Sequence, residues 1–73
     1  MIKKIYVNVP KYFSNEFYEG YKDVYEEFDV QGRDYTLSIG DSGELFLKFF
    51  TGDGVCTFIT CYAAGRWLDY HAE

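Results

Sequence analysis

Two glycine-rich strings in the chain contain residue types that could do chemistry. Residues 40–43 read Gly-Asp-Ser-Gly, and residues 51–54 read Thr-Gly-Asp-Gly. A serine nucleophile needs a histidine base and an oxyanion hole, but the only histidine is His71, close to the C-terminus. A phosphate-binding loop needs a lysine, which the second string lacks. Asp, Ser, Thr and Gly are also the residues that tight turns favour, so both strings predict turns.

Three further side chains, Cys56, Cys61 and His71, are of the types that bind metals. Their spacing matches no familiar zinc pattern. Cys56 and Cys61 are five positions apart, and an odd separation on one strand predicts opposite faces, which excludes a disulfide between them. We therefore expect two small buried cysteines, no metal and no other cofactor.

The acidic residues are concentrated in one segment. Residues 16–29 contain six of the twelve acids and a single base, Lys22, while the rest of the chain is balanced. The whole net charge of −5 therefore belongs to this segment. General acid or base catalysis needs carboxylates in a cleft that separates their pKa values, whereas a solvated stripe does not provide one. We expect a protein that is not an enzyme.

The same segment shows apolar residues at intervals of four, three and four positions, which is typical of a helix. Ser14 and Asn15 precede it as candidate N-caps. The alternative, in which residues 24–30 form one arm of a hairpin, would bury Glu26, and this counts against it. We predict an amphipathic helix within residues 16–29. Its apolar side is Phe17, Tyr21, Val24 and Phe28, and its acidic side is Glu16, Glu19, Asp23, Glu26 and Glu27.

The rest of the chain has the pattern of strands and turns. Residues 2–10 alternate and end at the only proline, Pro10, and three further strands follow at 35–39, 44–50 and 55–62, separated by glycine turns. The last strand is apolar on both faces, which suggests a central position. The tail after it is either a helical turn or a short edge strand, with Trp67 and Leu68 closing one end of the core. The predicted fold is α+β: one acidic helix on an antiparallel sheet of about four strands, in a single compact domain over residues 1–73.

Composition limits the partners. The 73 residues are 48% hydrophobic and include 16 aromatics, enough for a core in so short a chain. The acidic balance argues against direct binding to nucleic acid or to anionic membranes. The longest stretch without charge or glycine, residues 55–64, is too short to cross a bilayer. We expect a soluble, cytoplasmic protein, either a monomer or a homodimer.

The acidic stripe is the candidate binding site. On a helix its acids would lie about 4.5 to 6 Å apart along the axis, close to the step between phosphates of a nucleic acid. Tyrosines flank them, and contact surfaces favour tyrosine. A plain solvated face is the alternative. If the stripe is a binding site, its predicted partner is a basic protein surface. The predicted contact residues are Glu16, Glu19, Asp23, Glu26, Glu27, Asp29, Tyr18 and Tyr25.

In size, charge and absence of catalytic groups, the chain resembles the small acidic phage-type inhibitors of host defence, the anti-CRISPR and anti-restriction proteins. The resemblance is to this class and includes no shared motif. It implies an inhibitor that covers a nucleic-acid-binding surface of its target. The alternative function is a small structural or regulatory homo-oligomer with an aromatic interface, formed by Phe49, Phe50, Trp67 and Tyr70.

Overall fold

The chain forms six strands and no helix in a computed structural model that describes residues 1–73. One antiparallel sheet, sheet 1, has the order β2-β1-β6, and the other, sheet 2, has the order β3-β4-β5. The predicted α+β fold with one helix is therefore wrong: the protein is all-β. The strands are β1 Lys4–Ser14, β2 Glu19–Asp29, β3 Asp34–Ile39, β4 Leu45–Phe50, β5 Cys56–Tyr62 and β6 Asp69–Ala72.

The segment predicted as a helix is β2, which pairs with β1 along its whole length. An interval of four residues is close to one helical turn and is also a multiple of the strand period of two, so Glu19, Asp23 and Glu27 share a face in either structure. The segment is rich in aromatic residues and contains the β-branched Val24, and both residue types favour strands. The backbone pairing with β1 then favours the strand over the helix.

Asn15 uses its capping chemistry in a turn. Its side-chain Oδ1 accepts hydrogen bonds from the backbone N–H of Phe17 at 2.8 Å and of Tyr18 at 2.9 Å. The Asn15 N–H in turn donates to the carbonyl of Tyr18. These contacts reverse the chain between β1 and β2, so the predicted N-cap is an Asx-type turn residue.

β1 does not end at Pro10, as the sequence predicted, but continues to Ser14. The carbonyl of Asn8 accepts from Leu68 N–H, and Lys4 exchanges backbone hydrogen bonds with Glu73, so even-numbered residues of β1 turn their backbone groups toward β6. β6 begins with Asp69 opposite Asn8, so it does not extend along β1 as far as Pro10. Pro10 lacks an N–H only on the side of β1 that faces β6, and no strand is present there to accept a hydrogen bond from it.

The core lies between the two sheets and is built on their central strands. Alternate residues of β1 and β4 are buried against each other, as a strand period of two requires. One cluster centres on Ile5, Leu47 and Phe49, and a second combines Val7 and Val9 with Leu45. Trp67 packs on the second cluster and donates its indole N–H to the Gly43 carbonyl at 3.0 Å, as expected for a residue that closes one end of the core.

The predicted glycine turns are confirmed. The turn at residues 40–43 is closed by a hydrogen bond from Gly43 N–H to the Gly40 carbonyl, and Gly54 closes the next turn onto Thr51. Gly43 and Gly54 have φ of 88° and 84°, a region in which a side chain is strained. The Gly-Asp-Ser-Gly string is therefore explained by turn geometry.

β5 differs from expectation in two ways. It is an edge strand of sheet 2, with β4 in the centre. A bulge in β5 opposite Phe49 and Phe50 also shifts the register, so Cys56 lies opposite Phe50 and Cys61 opposite Phe46. Both cysteines are free and exposed, and both lie on the outward face of sheet 2. The predictions of opposite faces and of burial are wrong.

The β1–β2 hairpin extends well beyond the core. The molecule measures 51 × 27 × 17 Å, and its radius of gyration is 14.5 Å, against about 11 Å for a compact domain of this length. The last buried residue of β1 is Val9, opposite Val24. We call residues 10–23 the arm.

Candidate binding surface

Sheet 1 has one face in the core and one in solvent, which we call the outer face. Along β2 the outer face alternates acids with tyrosines, because residues of one parity share a side of a strand. Val24, Glu26 and Phe28 have the opposite parity and face sheet 2. The outer-face residues of β2 are Glu19, Tyr21, Asp23, Tyr25, Glu27 and Asp29, and their neighbours include Tyr6 and Tyr12 from β1 and Asp69 and His71 from β6.

Lysines of β1 neutralise part of the acidic strand. Lys4 forms an ion pair with Glu27 and lies 3.9 Å from an oxygen of Asp29, while Lys11 lies 3.5 Å from Glu26. The hydrogen bond and the charge of Glu27 raise the pKa of Lys4 above its ordinary value. The ion pairs of this segment therefore use lysines from outside it, and Lys22, its single base, forms none. Glu16, Glu19 and Asp23 form no ion pair, and all three lie on the arm.

Glu26 faces the space between the sheets, which the sequence argument treated as unfavourable. Its carboxylate accepts a hydrogen bond from the Tyr62 hydroxyl at 3.1 Å and approaches the Lys11 ammonium from the other side. A half-buried carboxylate with two such partners is satisfied. Burial, followed by the negative charge of Glu26 and the hydrogen bond to it, raises the pKa of Tyr62 to about 12.

This contact predicts a loss of stability at high pH. An unfolded tyrosine titrates near pH 10, whereas folded Tyr62 keeps its proton until about pH 12. The free energy of unfolding should therefore fall as pH rises through this window, because only the unfolded chain releases the proton. Tyr62→Phe should flatten the fall relative to wild type in urea unfolding curves measured from pH 9 to 12.

Glu26→Gln is the matched control for this experiment. It removes the negative charge but leaves Tyr62 buried, so it should reduce the slope only in part, since burial is the larger cause. An unchanged slope in Tyr62→Phe would show that this tyrosine does not carry the effect.

The tip of the arm displays aromatic rings. Phe17 in the turn is 89% exposed, while the Tyr18 ring stacks on Phe13 at 5.2 Å. Gly20 makes this stacking possible, because a Cβ at this position would lie only 2.9 Å from the Tyr18 hydroxyl. Farther along, Tyr12 and Tyr21 meet edge to face at 5.5 Å and are both exposed. The arm thus holds ordered rings in solvent.

A second aromatic group lies at the other end of the outer face. His71 stacks on Tyr6 with ring centroids 4.8 Å apart, and the edge of Tyr25 approaches it at 5.6 Å. The cysteines lie on the other sheet, and no three His, Cys, Asp or Glu side chains converge to hold a metal ion. No helix that could span a membrane is present.

The structure brings together only part of the predicted site. Glu19, Asp23, Tyr25, Glu27 and Asp29 share the outer face. Glu26 is on the opposite side of the sheet, and Glu16 and Tyr18 belong to the arm tip. Five residues of this face were not predicted: Tyr6, Tyr12, Tyr21, Asp69 and His71. Strand parity along β2 would have placed Tyr21 with the acids.

The residues suggested for an aromatic oligomer interface are not available as a group. Phe49 is buried in the first core cluster, and Trp67 packs on the second cluster at one end of the core. Tyr70 lies beside Trp67, with ring centroids 6.2 Å apart. Phe50 is on the outward face of sheet 2, away from these three, so the four do not form one surface.

No protein-family model, curated protein or solved structure matches the chain.

Proposed function

We propose that the protein is a non-enzymatic binding protein whose outer face and arm dock on a basic surface of another protein and block nucleic acid from that surface. One observation carries the proposal. The unpaired acids Glu19 and Asp23 alternate with exposed tyrosines on a hairpin that extends past the core.

The arm contributes little to folding, which supports a role in contact. Most side chains of residues 10–23 are exposed, and ordering them costs conformational entropy that core burial does not offset. Tyrosines offer a large contact area with few rotatable bonds, which makes them effective anchors on binding surfaces. The exposed rings of the arm, Tyr12, Phe17, Tyr18 and Tyr21, fit this role.

The charge distribution supports a basic partner. Glu19 and Asp23 have no lysine or arginine in the chain to neutralise them, so they are free to pair with cations of another protein. Complementary charge speeds encounter and makes the rate sensitive to salt. A surface rich in Lys and Arg is also the kind that holds phosphate backbones, so covering it would displace nucleic acid.

The test compares two double charge reversals of equal net charge. Glu19→Lys with Asp23→Lys alters the arm. Asp34→Lys with Asp41→Lys alters two exposed acids, in β3 and in the turn after it, that form no ion pair. A partner isolated from a cell lysate with the wild-type protein should bind the first variant at least tenfold more weakly. It should bind the second about as well as wild type, by surface plasmon resonance.

Two further measurements decide the blocking role. Wild-type binding should weaken steeply between 50 and 500 mM salt, and addition of the protein should release nucleic acid from the partner. Equal affinity of the two charge variants, or a partner that holds protein and nucleic acid together, would contradict the proposal.

A further inference from the structure

Strand β2 has a free edge. It pairs only with β1, so its other side faces no strand over residues 19–29. Hydrogen bonds at both ends of the hairpin show which backbone groups point there. Val30 N–H donates to the Lys3 carbonyl, and Asn15 N–H donates to the Tyr18 carbonyl. The register between them is continuous, so even-numbered residues of β2 bond to β1 and odd-numbered residues turn N–H and C=O to the free edge.

The free backbone groups and the outer-face side chains belong to the same residues. Tyr21, Asp23, Tyr25 and Glu27 point their amides to the open edge and their side chains to the outer face. An added strand would therefore form backbone hydrogen bonds there and would place alternate side chains beside carboxylates and tyrosine rings. Lys or Arg at those positions would meet opposite charge across the strands.

The β2 strands of two copies do not fit edge to edge. When two β2 strands pair antiparallel with their outer faces aligned, the registers that use most of the strand place acids opposite acids. Full pairing sets Glu19 against Asp29, and neighbouring registers set Asp23 against Glu27 or against itself. Like charges directly opposite destabilise a strand pair. Charge repulsion thus disfavours pairing of two β2 edges, and the edge is open to a basic strand.

We propose that the β2 edge accepts an extended segment of the partner as a fourth strand of sheet 1, with Lys or Arg at alternate positions over the outer face. This inference rests on the proposed function and specifies how the partner is held. Backbone pairing supplies the alignment, and the alternate basic side chains supply the selectivity.

The test removes one backbone donor and leaves every side chain unchanged. A chain of 73 residues is accessible to chemical synthesis, which allows N-methylation of Tyr25 at the free edge. The matched control is N-methyl-Leu37 on β3. The hydrogen bond from Gly40 N–H to the Glu44 carbonyl shows that odd-numbered residues of β3 also face a free edge. Neither change removes a hydrogen bond within the protein, so both should fold as wild type.

The probe is a ten-residue synthetic peptide that alternates lysine with threonine. It should bind wild type, slow the hydrogen exchange of the Tyr21, Asp23 and Tyr25 amides, and bind N-methyl-Tyr25 protein about tenfold more weakly or worse. N-methyl-Leu37 protein should bind it as wild type does. Failure of the peptide to bind at millimolar concentration, or equal affinity for N-methyl-Tyr25 protein, would overturn strand addition.

The isolated partner separates this inference from the proposed function. If Glu19→Lys with Asp23→Lys abolishes its binding while N-methyl-Tyr25 protein binds normally, the acidic face docks without adding a strand. If the charge reversal has no effect, the proposed function itself is wrong.

Discussion

Phe49→Ala should lower the free energy of unfolding by about 3 to 5 kcal/mol, which is about half of the stability expected for a domain of this length. Phe49 is 1% exposed, packs in the cluster with Ile5 and Leu47, and has the Arg33 guanidinium 4.2 Å from its ring centroid. Truncating such a ring costs about 3 to 5 kcal/mol. A domain of this length has only about 4 to 11 kcal/mol in total. Urea unfolding followed by Trp67 fluorescence measures the loss.

The neighbouring residue provides the control. Phe50 is on the same strand, but its side chain is on the outward face of sheet 2 and remains partly in solvent. Phe50→Ala should cost about 1 kcal/mol or less, because surface positions respond weakly. Comparable losses for the two substitutions would contradict the placement of the core between the sheets.

Replacing the outer part of the arm by a two-residue turn should abolish partner binding and leave the fold intact. The variant joins Lys11 to Lys22, which are opposite each other in the hairpin, through Asn-Gly in place of residues 12–21. The removed residues pack on neither of the two buried clusters. We expect the free energy of unfolding to change by about 0.5 kcal/mol or less.

Binding to the isolated partner measures the other half of this prediction. The variant lacks Glu19 and the exposed rings of the arm, so surface plasmon resonance should detect no complex at concentrations a hundredfold above the wild-type dissociation constant. A variant that folds and still binds would assign the contact to another face of the molecule. A variant that fails to fold would show that the arm supports the core.

Local chemistry was predictable from the sequence where a few neighbouring residues decide the structure. Glycine turns such as that ending at Gly43 follow from backbone conformation, and the buried face of β1 follows from the alternation of Ile5, Val7 and Val9. Trp67 was expected at one end of the core and lies there. None of these features depends on a distant partner.

The errors come from contacts between residues that are distant along the chain. β2 was predicted as a helix because its apolar residues keep helical intervals. Pairing with β1 instead places Tyr21 on the outer face and Val24 and Phe28 toward sheet 2. Glu26 was judged too polar to face inward because its partner Tyr62 comes from β5. The acids were counted against Lys22 alone because Lys4 and Lys11 come from β1. The candidate site was therefore identified by residue type and only in part by geometry.

The pairing of β1 with β6 has a consequence for how the protein is made. Ile5 lies opposite Ala72, so the central strand of sheet 1 has a neighbour on only one side until residues 69–72 have left the ribosome. During synthesis the β1–β2 hairpin can form, but sheet 1 cannot be completed. Closing so long a loop is slow. Until β6 pairs, the edge of β1 that faces away from β2 is open, and the apolar side chains of Ile5 and Val7 are exposed beside it. This is the surface that a chaperone would protect from aggregation.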